Sequence, residues 1–186
     1  MASISKKEFG RLSNGSLVYS YTLENRAGAK ATIITYGARI QSFLVPDKEG
    51  NFRDIVLGFD TAKGYEEETF YMGAIVGPHA NRIQNAEFTI NNTTYYLECN
   101  DGANHTNSLH SGSTGFHDKI WGAEINNGKL LMYQFRPDGE KDGITKEYHH
   151  DISFDELGDV LDSMIETGGM TKEEYQTKVK DFVCSL

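Results

Sequence analysis

Asn107-Ser108-Leu109-His110-Ser111-Gly112-Ser113-Thr114-Gly115-Phe116 sets one histidine between an apolar residue and a run of small polar ones. Leu109 and Phe116 are large enough to anchor the segment in a core. The glycines and serines between them keep the backbone close to whatever His110 faces, because glycine permits positive φ and close approach. A histidine held on a loop over a rigid scaffold suits an acid, a base or a polar clamp. An ordinary loop histidine shares that local pattern, so the flanking chain has to decide.

On both sides the chain reads as β. Upstream, Leu17 to Leu23, Ala31 to Tyr36, Arg39 to Val45 and Asp54 to Phe59 are rich in strand formers. Turn residues such as Gly28, Gly37 and Pro46-Asp47 separate them. Segment 63–69, with Glu66-Glu67-Glu68, reads as a solvated loop. Gly73 to Gly77 is an apolar run bounded by glycines and is expected to be a buried strand. Ala86 to Ile90 and Thr93 to Glu98 flank Asn91-Asn92, a tight hairpin link because asparagine tolerates the left-handed region. Downstream, Lys119 to Ala123 and Leu130 to Arg136 flank Asn126-Asn127-Gly128. Short strands at this spacing predict a β-sandwich or barrel.

The character changes after Pro137. Residues 138–152 read as a polar, glycine-punctuated linker. Ser153-Phe154-Asp155-Glu156 and Thr171-Lys172-Glu173-Glu174 are capping boxes, a hydroxyl answered three residues later by glutamate. Apolar stripes follow each: Leu157, Leu161, Met164 and Ile165, then Tyr175, Val179, Phe182 and Val183, divided by Gly168-Gly169. The expected organisation is a β portion over 1–137, a linker over 138–152 and an α-helical hairpin over 153–186.

A chain of 186 residues fits one domain with a small appendage, long enough to bury a core without staples. The net charge of -9 is uneven: residues 1–136 hold 14 acidic against 13 basic side chains, and residues 137–186 hold 13 against 5. No basic footprint exists for nucleic acid. No apolar run reaches membrane-spanning length, and the first residues lack the apolar core of a signal peptide, so the cytoplasm is the expected compartment. Cys99 and Cys184, far apart and without metal spacing, read as free thiols in a reducing environment.

Three tempting metal sites fall away on spacing. Asp138, Glu140, Asp142 and Gly143 imitate half of a calcium loop, but His149 stands where its bidentate glutamate belongs. His149-His150-Asp151 are adjacent, and adjacent residues rarely converge on one ion. His79, His105, His110 and His117 lack the helical i, i+4 spacing of a zinc motif. No metal site is expected from these spacings. Asn81-Arg82 is richer: an amide and a planar five-donor fork after an apolar run can grip neighbouring hydroxyls. A structural arginine paired to a carboxylate fits that dipeptide as well.

Taken in order, Gly77, Ala80-Asn81-Arg82-Ile83, the hairpin, Asn107, Leu109-His110, Gly112, Gly115-Phe116, Lys119 and Trp121 closely resemble the aldose 1-epimerase (galactose mutarotase) family. Thr35-Tyr36-Gly37-Ala38 and Asp54 to Phe59 are similar to its opening strands. The resemblance covers about residues 8–139 and the N-terminal portion of the family's pattern. It departs at Pro78-His79, where an arginine leads the pair in the family, and at Ser111, where glycine is usual. It implies a mainly β, antiparallel β-sandwich, incomplete here, that interconverts α and β anomers of hexoses such as galactose or glucose without cofactor or metal. In that chemistry a carboxylate takes the anomeric hydroxyl proton while a histidine protonates the ring oxygen; rotation and reclosure follow. Asn81 and Arg82 match sugar-binding positions, and His110 matches an active-site histidine beside the ring oxygen. The family's second histidine and its glutamate base come from later in a longer chain, and no matching motif follows here. The alternative is therefore a catalytically incomplete sugar-binding or interaction module derived from a truncated mutarotase. The ending resembles a SHOCT-type oligomerisation hairpin through Leu157, Leu161, Gly169-Met170-Thr171, Glu173-Glu174-Tyr175 and Lys178, which implies a homo-oligomer formed through it.

Overall fold

Alternating apolar and polar side chains build the first sheet. The computed structural model describes residues 3–135 and, as backbone, residues 147–152. Strands β1 (Ser3–Arg11), β2 (Leu17–Glu24), β3 (Lys30–Ile34), β4 (Arg39–Pro46) and β5 (Phe52–Asp54) form an antiparallel sheet in sequence order. Its register sets Tyr21 opposite Ile33, Leu23 opposite Ala31, and Ala31 opposite Phe43. A short helix, α1 (Ala62–Glu67), follows β5, capped by the Thr61 hydroxyl, which accepts from Gly64 N–H. Then come β6 (Arg82–Ile83), the hairpin β7 (Glu87–Ile90) and β8 (Thr93–Tyr96), β9 (Ser108–Leu109), β10 (Gly122–Asn126), β11 (Lys129–Phe135) and β12 (Glu147–Ile152). β6 pairs with β9, and β10, β11 and β12 form a second antiparallel sheet.

The two larger sheets share one core. Tyr21, Leu23, Ala31, Ile33, Phe43 and Val45 of the first sheet cluster with Trp121, Leu130 and Met132, and Phe116 joins them from the loop before β10. Burying side chains of this size stabilises by about 1.5–3 kcal/mol each before entropy is charged against it. Two backbone stitches cross between the sheets: Trp121 N–H donates to the Thr35 carbonyl at 2.8 Å, and Gly37 N–H to the Lys119 carbonyl at 2.8 Å. Gly37 allows this because its φ is +71° and any Cβ there would collide with the His117 carbonyl. The fold is mainly β and antiparallel, as the strand pattern indicates.

Four local expectations are corrected. Asp54 to Phe59 is not a strand: pairing ends at Asp54, whose Oδ1 accepts from Phe43 N–H at 2.9 Å and Val56 N–H at 3.2 Å, turning the chain off the sheet. Gly73 to Gly77 is an irregular segment tied by single bonds, Ile40 N–H to the Gly73 carbonyl and Ile75 N–H to the Gly37 carbonyl. The solvated loop of 63–69 is in fact α1 and its exit, with Tyr65 buried and Glu68 paired to Arg39. The strand expected from Lys119 starts only at Gly122, because Lys119 to Trp121 are spent crossing to the first sheet. β1 lies outside the expected strands, its Lys6-Lys7-Glu8 being too polar to mark an edge. Residues 147–152 of the linker pair with β11. The calcium-like residues 138–143 and the hairpin 153–186, with the oligomer inferred from it, lie outside the described residues.

Candidate functional site

Two residues of pairing bring the candidate residues together. β6 sets Arg82 opposite Leu109 of β9, and the pairing continues past the strand ends. His110 N–H donates to the Asn81 carbonyl at 3.2 Å, and Asn81 N–H returns a bond to His110 Nδ1 at 3.0 Å. Because Nδ1 accepts, the neutral imidazole carries its proton on Nε2. Asn81, His110 and Ser111 all have positive φ, at 65°, 52° and 67°. Such conformations in non-glycine residues cluster at functional sites and need surroundings that hold them.

Those surroundings are polar side chains bonded to backbone. Ser111 N–H donates to His79 Nε2 at 3.1 Å, and the Ser111 hydroxyl accepts from His79 N–H at 3.0 Å. The two departures from the family pattern thus contact each other. Asn100 mimics a strand partner for Leu109, accepting its N–H at 2.7 Å and donating to its carbonyl at 3.0 Å. Glu98 takes Ser113 N–H at 2.9 Å and the Ser113 hydroxyl at 2.7 Å, closing the loop beyond His110.

Arg82 is more than half exposed and gripped from the side by Asp101, through Nε at 2.7 Å and Nη2 at 3.2 Å. This is the carboxylate pairing that the dipeptide left open. It also leaves Nη1 free to donate to the Asn81 side-chain oxygen at 3.4 Å. The bond from Asp101 raises the arginine's already high pKa, so the charge is permanent.

Tyr71 completes the cluster. Its ring meets the His110 ring edge-on at 4.7 Å and the His117 ring at 4.6 Å. Behind it lies a polar cavity of about 240 Å³ lined by Tyr36, Arg39, Tyr65, Glu68 and His117, among others. Its carboxylates have partners inside the protein: Glu68 pairs with Arg39, Glu66 accepts from Ser13, and Asp118 accepts from the Tyr36 hydroxyl. Burial pushes the His110 imidazole below its ordinary pKa, helped by the charge of Arg82. Burial does the same to His117 and pushes the Tyr71 phenol up. Both histidines are therefore neutral at pH 7, and His110 presents a hydrogen-bond donor, not a cation. Among the described residues no three His, Cys, Asp or Glu side chains converge to hold a metal ion.

Asn81, Arg82 and His110, named from the sequence, thus form one cluster. Tyr71 and Asp101 were not named as site residues, nor was the contact between His79 and Ser111. A carboxylate nineteen residues beyond an arginine carries no local signal, and Tyr71 lies in a segment without periodicity.

The aldose 1-epimerase family model matches residues 19–155. Galactose mutarotase of Mus musculus is 36% identical over 142 residues, 76% of this chain and 40% of that protein. Aldose 1-epimerase of Escherichia coli K12 is 30% identical over 123 residues, 66% of this chain and 35% of that protein. The crystal structure of galactose 1-epimerase from Lactobacillus acidophilus shares the fold with a TM-score of 0.65 at 24% identity, over 80% of this chain and 43% of that one. The chain spans about two-fifths of the length of the curated relatives it matches.

Proposed function

The chain belongs to the aldose 1-epimerase family, and on that premise we propose that it binds cyclic hexoses such as galactose or glucose and favours interconversion of their anomers. The coupling of Asn81 to His110 carries the reading. Two reciprocal bonds, 3.0 and 3.2 Å, lock the histidine's tautomer to the backbone of the residue that precedes Arg82. A sugar held by the Asn81 amide and the exposed guanidinium of Arg82 would find His110 Nε2–H available to its ring oxygen. Donation there weakens the bond between C1 and the ring oxygen. As a base removes the proton from the anomeric hydroxyl and an acid delivers one to the ring oxygen, that bond breaks and the open aldehyde forms. Rotation about C1–C2 and reclosure give the other anomer.

One observation favours the second reading, a module that binds sugar without turning it over. Asp101, a carboxylate whose charge acts on His110, has both oxygens engaged by nitrogens of Arg82. A positioned acid and base each contribute roughly 10²–10⁴-fold, so a site lacking both would run near the spontaneous rate.

Polarimetry of freshly dissolved α-glucose, paired with amide-shift titration by galactose and glucose, separates the outcomes. Mutarotation above the buffer rate that disappears in His110→Ala supports turnover. Shifts around Asn81 and His110, lost in Arg82→Ala and without turnover, select the binding module. No shifts at tens of millimolar sugar would overturn both.

A further inference from the structure

We propose that Tyr71 is a positioning residue for His110, held in place by a fastening that runs through the buried guanidinium of Arg39. The proposal rests on the reading of His110 as the residue facing the sugar ring oxygen. A histidine ring with one hydrogen bond at Nδ1 can still tilt about that bond. A ring packed against the imidazole limits that freedom, and Tyr71 supplies one in an edge-type contact, 4.7 Å between centroids at 64°. His117 meets the same phenol ring at 4.6 Å and 73°, so Tyr71 stands between two imidazoles.

Tyr71 itself has a backbone φ of 57°, which a bulky side chain rarely adopts and which neighbours must impose. The imposing group is Arg39, 2% exposed. Its Nη1 pairs with Glu68 and donates to the Met72 carbonyl at 3.2 Å, gripping the chain on either side of Tyr71. Its Nη2 donates to the His117 carbonyl at 3.3 Å. One buried cation thus fastens to the first sheet the segments that carry Tyr71 and His117. Glu68 supplies the neutralising charge that makes such burial tolerable.

Tyr71 is distinct from the groups that set the charge around His110, which are Arg82, His79 and Asp101. Its contribution is shape and exclusion of water. Removing its ring should therefore show in two readouts that a general loss of stability would not move together. The His110 ring, followed by nitrogen-edited NMR in the full 186-residue chain, should titrate closer to an unperturbed histidine in Tyr71→Ala, and its Nε2–H form should lose its dominance over the other tautomer. Affinity for galactose or glucose should fall about five-fold, the scale of one lost aromatic contact. Tyr71→Phe keeps the ring and should restore both. Tyr71→Leu, smaller than tyrosine but still apolar, guards against a variant that fails to fold and should fall between Tyr71→Phe and Tyr71→Ala in the His110 readout. An unchanged His110 titration and tautomer in Tyr71→Ala and Tyr71→Leu would overturn the proposal, as would a Tyr71→Phe variant as impaired as Tyr71→Ala. Because the imidazole readout needs no sugar, it decides the positioning role even where wild-type protein binds no hexose, an outcome that would sink the sugar-site reading alone.

Discussion

The first sheet and the site it carries are held together by different means. Residues 3–54 form five strands in continuous register, with two irregularities, and bury Leu23, Ile33 and Ile34 almost completely. Between Tyr71 and Ser111 the strands are two to four residues long. That stretch holds Tyr71, Asn81, Asn85, Ala86, Asn91, Asn92, His105, His110 and Ser111 at positive φ, whereas Ala38 is the single non-glycine example in the described residues before it. The sheet is a periodic solution to burying apolar surface. The site is a set of imposed conformations, and at Asn81, Asn85 and Ser111 a side chain bonds the backbone in place. Stability should therefore concentrate in the sheet and its seam, and function in groups whose removal the fold barely registers.

The hardest test of that division is Arg39, which sits at the end of the sheet yet ties down two site segments. Arg39→Ala removes one partner of a buried pair and leaves Glu68 charged and uncompensated. Such losses cost about 3–5 kcal/mol. Urea unfolding followed by fluorescence of the buried Trp121 should show a shift of that size. A loss below about 1 kcal/mol, the range of surface ion pairs, would mean that the pair is not the seam's fastening.

The division also explains what the sequence could disclose. β2, β3 and β4 were legible because their side chains alternate and their turns carry glycine, proline or asparagine. The Asn91-Asn92 link was legible because both residues take the left-handed conformation that asparagine tolerates, at 50° and 64°. Asn81, Arg82 and His110 were legible only as an ordered set. Glu68 was misread as solvated because nothing in Glu66-Glu67-Glu68 distinguishes the one residue that turns inward to meet a guanidinium 29 residues earlier. Asp101, Tyr71 and the His79–Ser111 contact depend on φ values and on loops crossing in space. Neither periodicity nor propensity encodes those.

A smaller effect sharpens the comparison from the other side. Asp101→Asn keeps the shape of the group that aims Arg82 but removes its charge. The ion pair is partly exposed, so stability should change by less than about 1 kcal/mol. Hexose affinity should drop about ten-fold as the fork loses its orientation, within the range for hydrogen bonds to charged groups. Amide-shift titration measures the affinity and thermal unfolding the stability. A large fall in melting temperature with unchanged affinity would reverse the assignment and make Asp101 part of the scaffold.

The smallest expected effect is in pH, and it separates the two regions by sign. His110 and His117 are held neutral by burial, with pKa values below that of a free histidine. The unfolded chain therefore takes up protons at these positions more readily. Their stabilising contribution is complete above about pH 6.5, the ordinary histidine value, and is lost as pH falls through their folded values. Tyr36, at the junction of the sheets, is shifted the other way. Burial and then the Asp118 carboxylate push its phenol well above the usual tyrosine range. Its contribution is complete below about pH 10 and is lost as pH rises through the folded value. An acid limb belonging to the site and an alkaline limb belonging to the seam should follow. Other groups overlap each limb, carboxylates mainly below pH 5 and lysines near pH 10, so variants have to isolate the contributions. His117→Asn should flatten the decline below about pH 6.5 while leaving the alkaline limb intact. Tyr36→Phe should do the converse. A profile in which His117→Asn alters both limbs equally would show that the site and the seam unfold as one electrostatic unit.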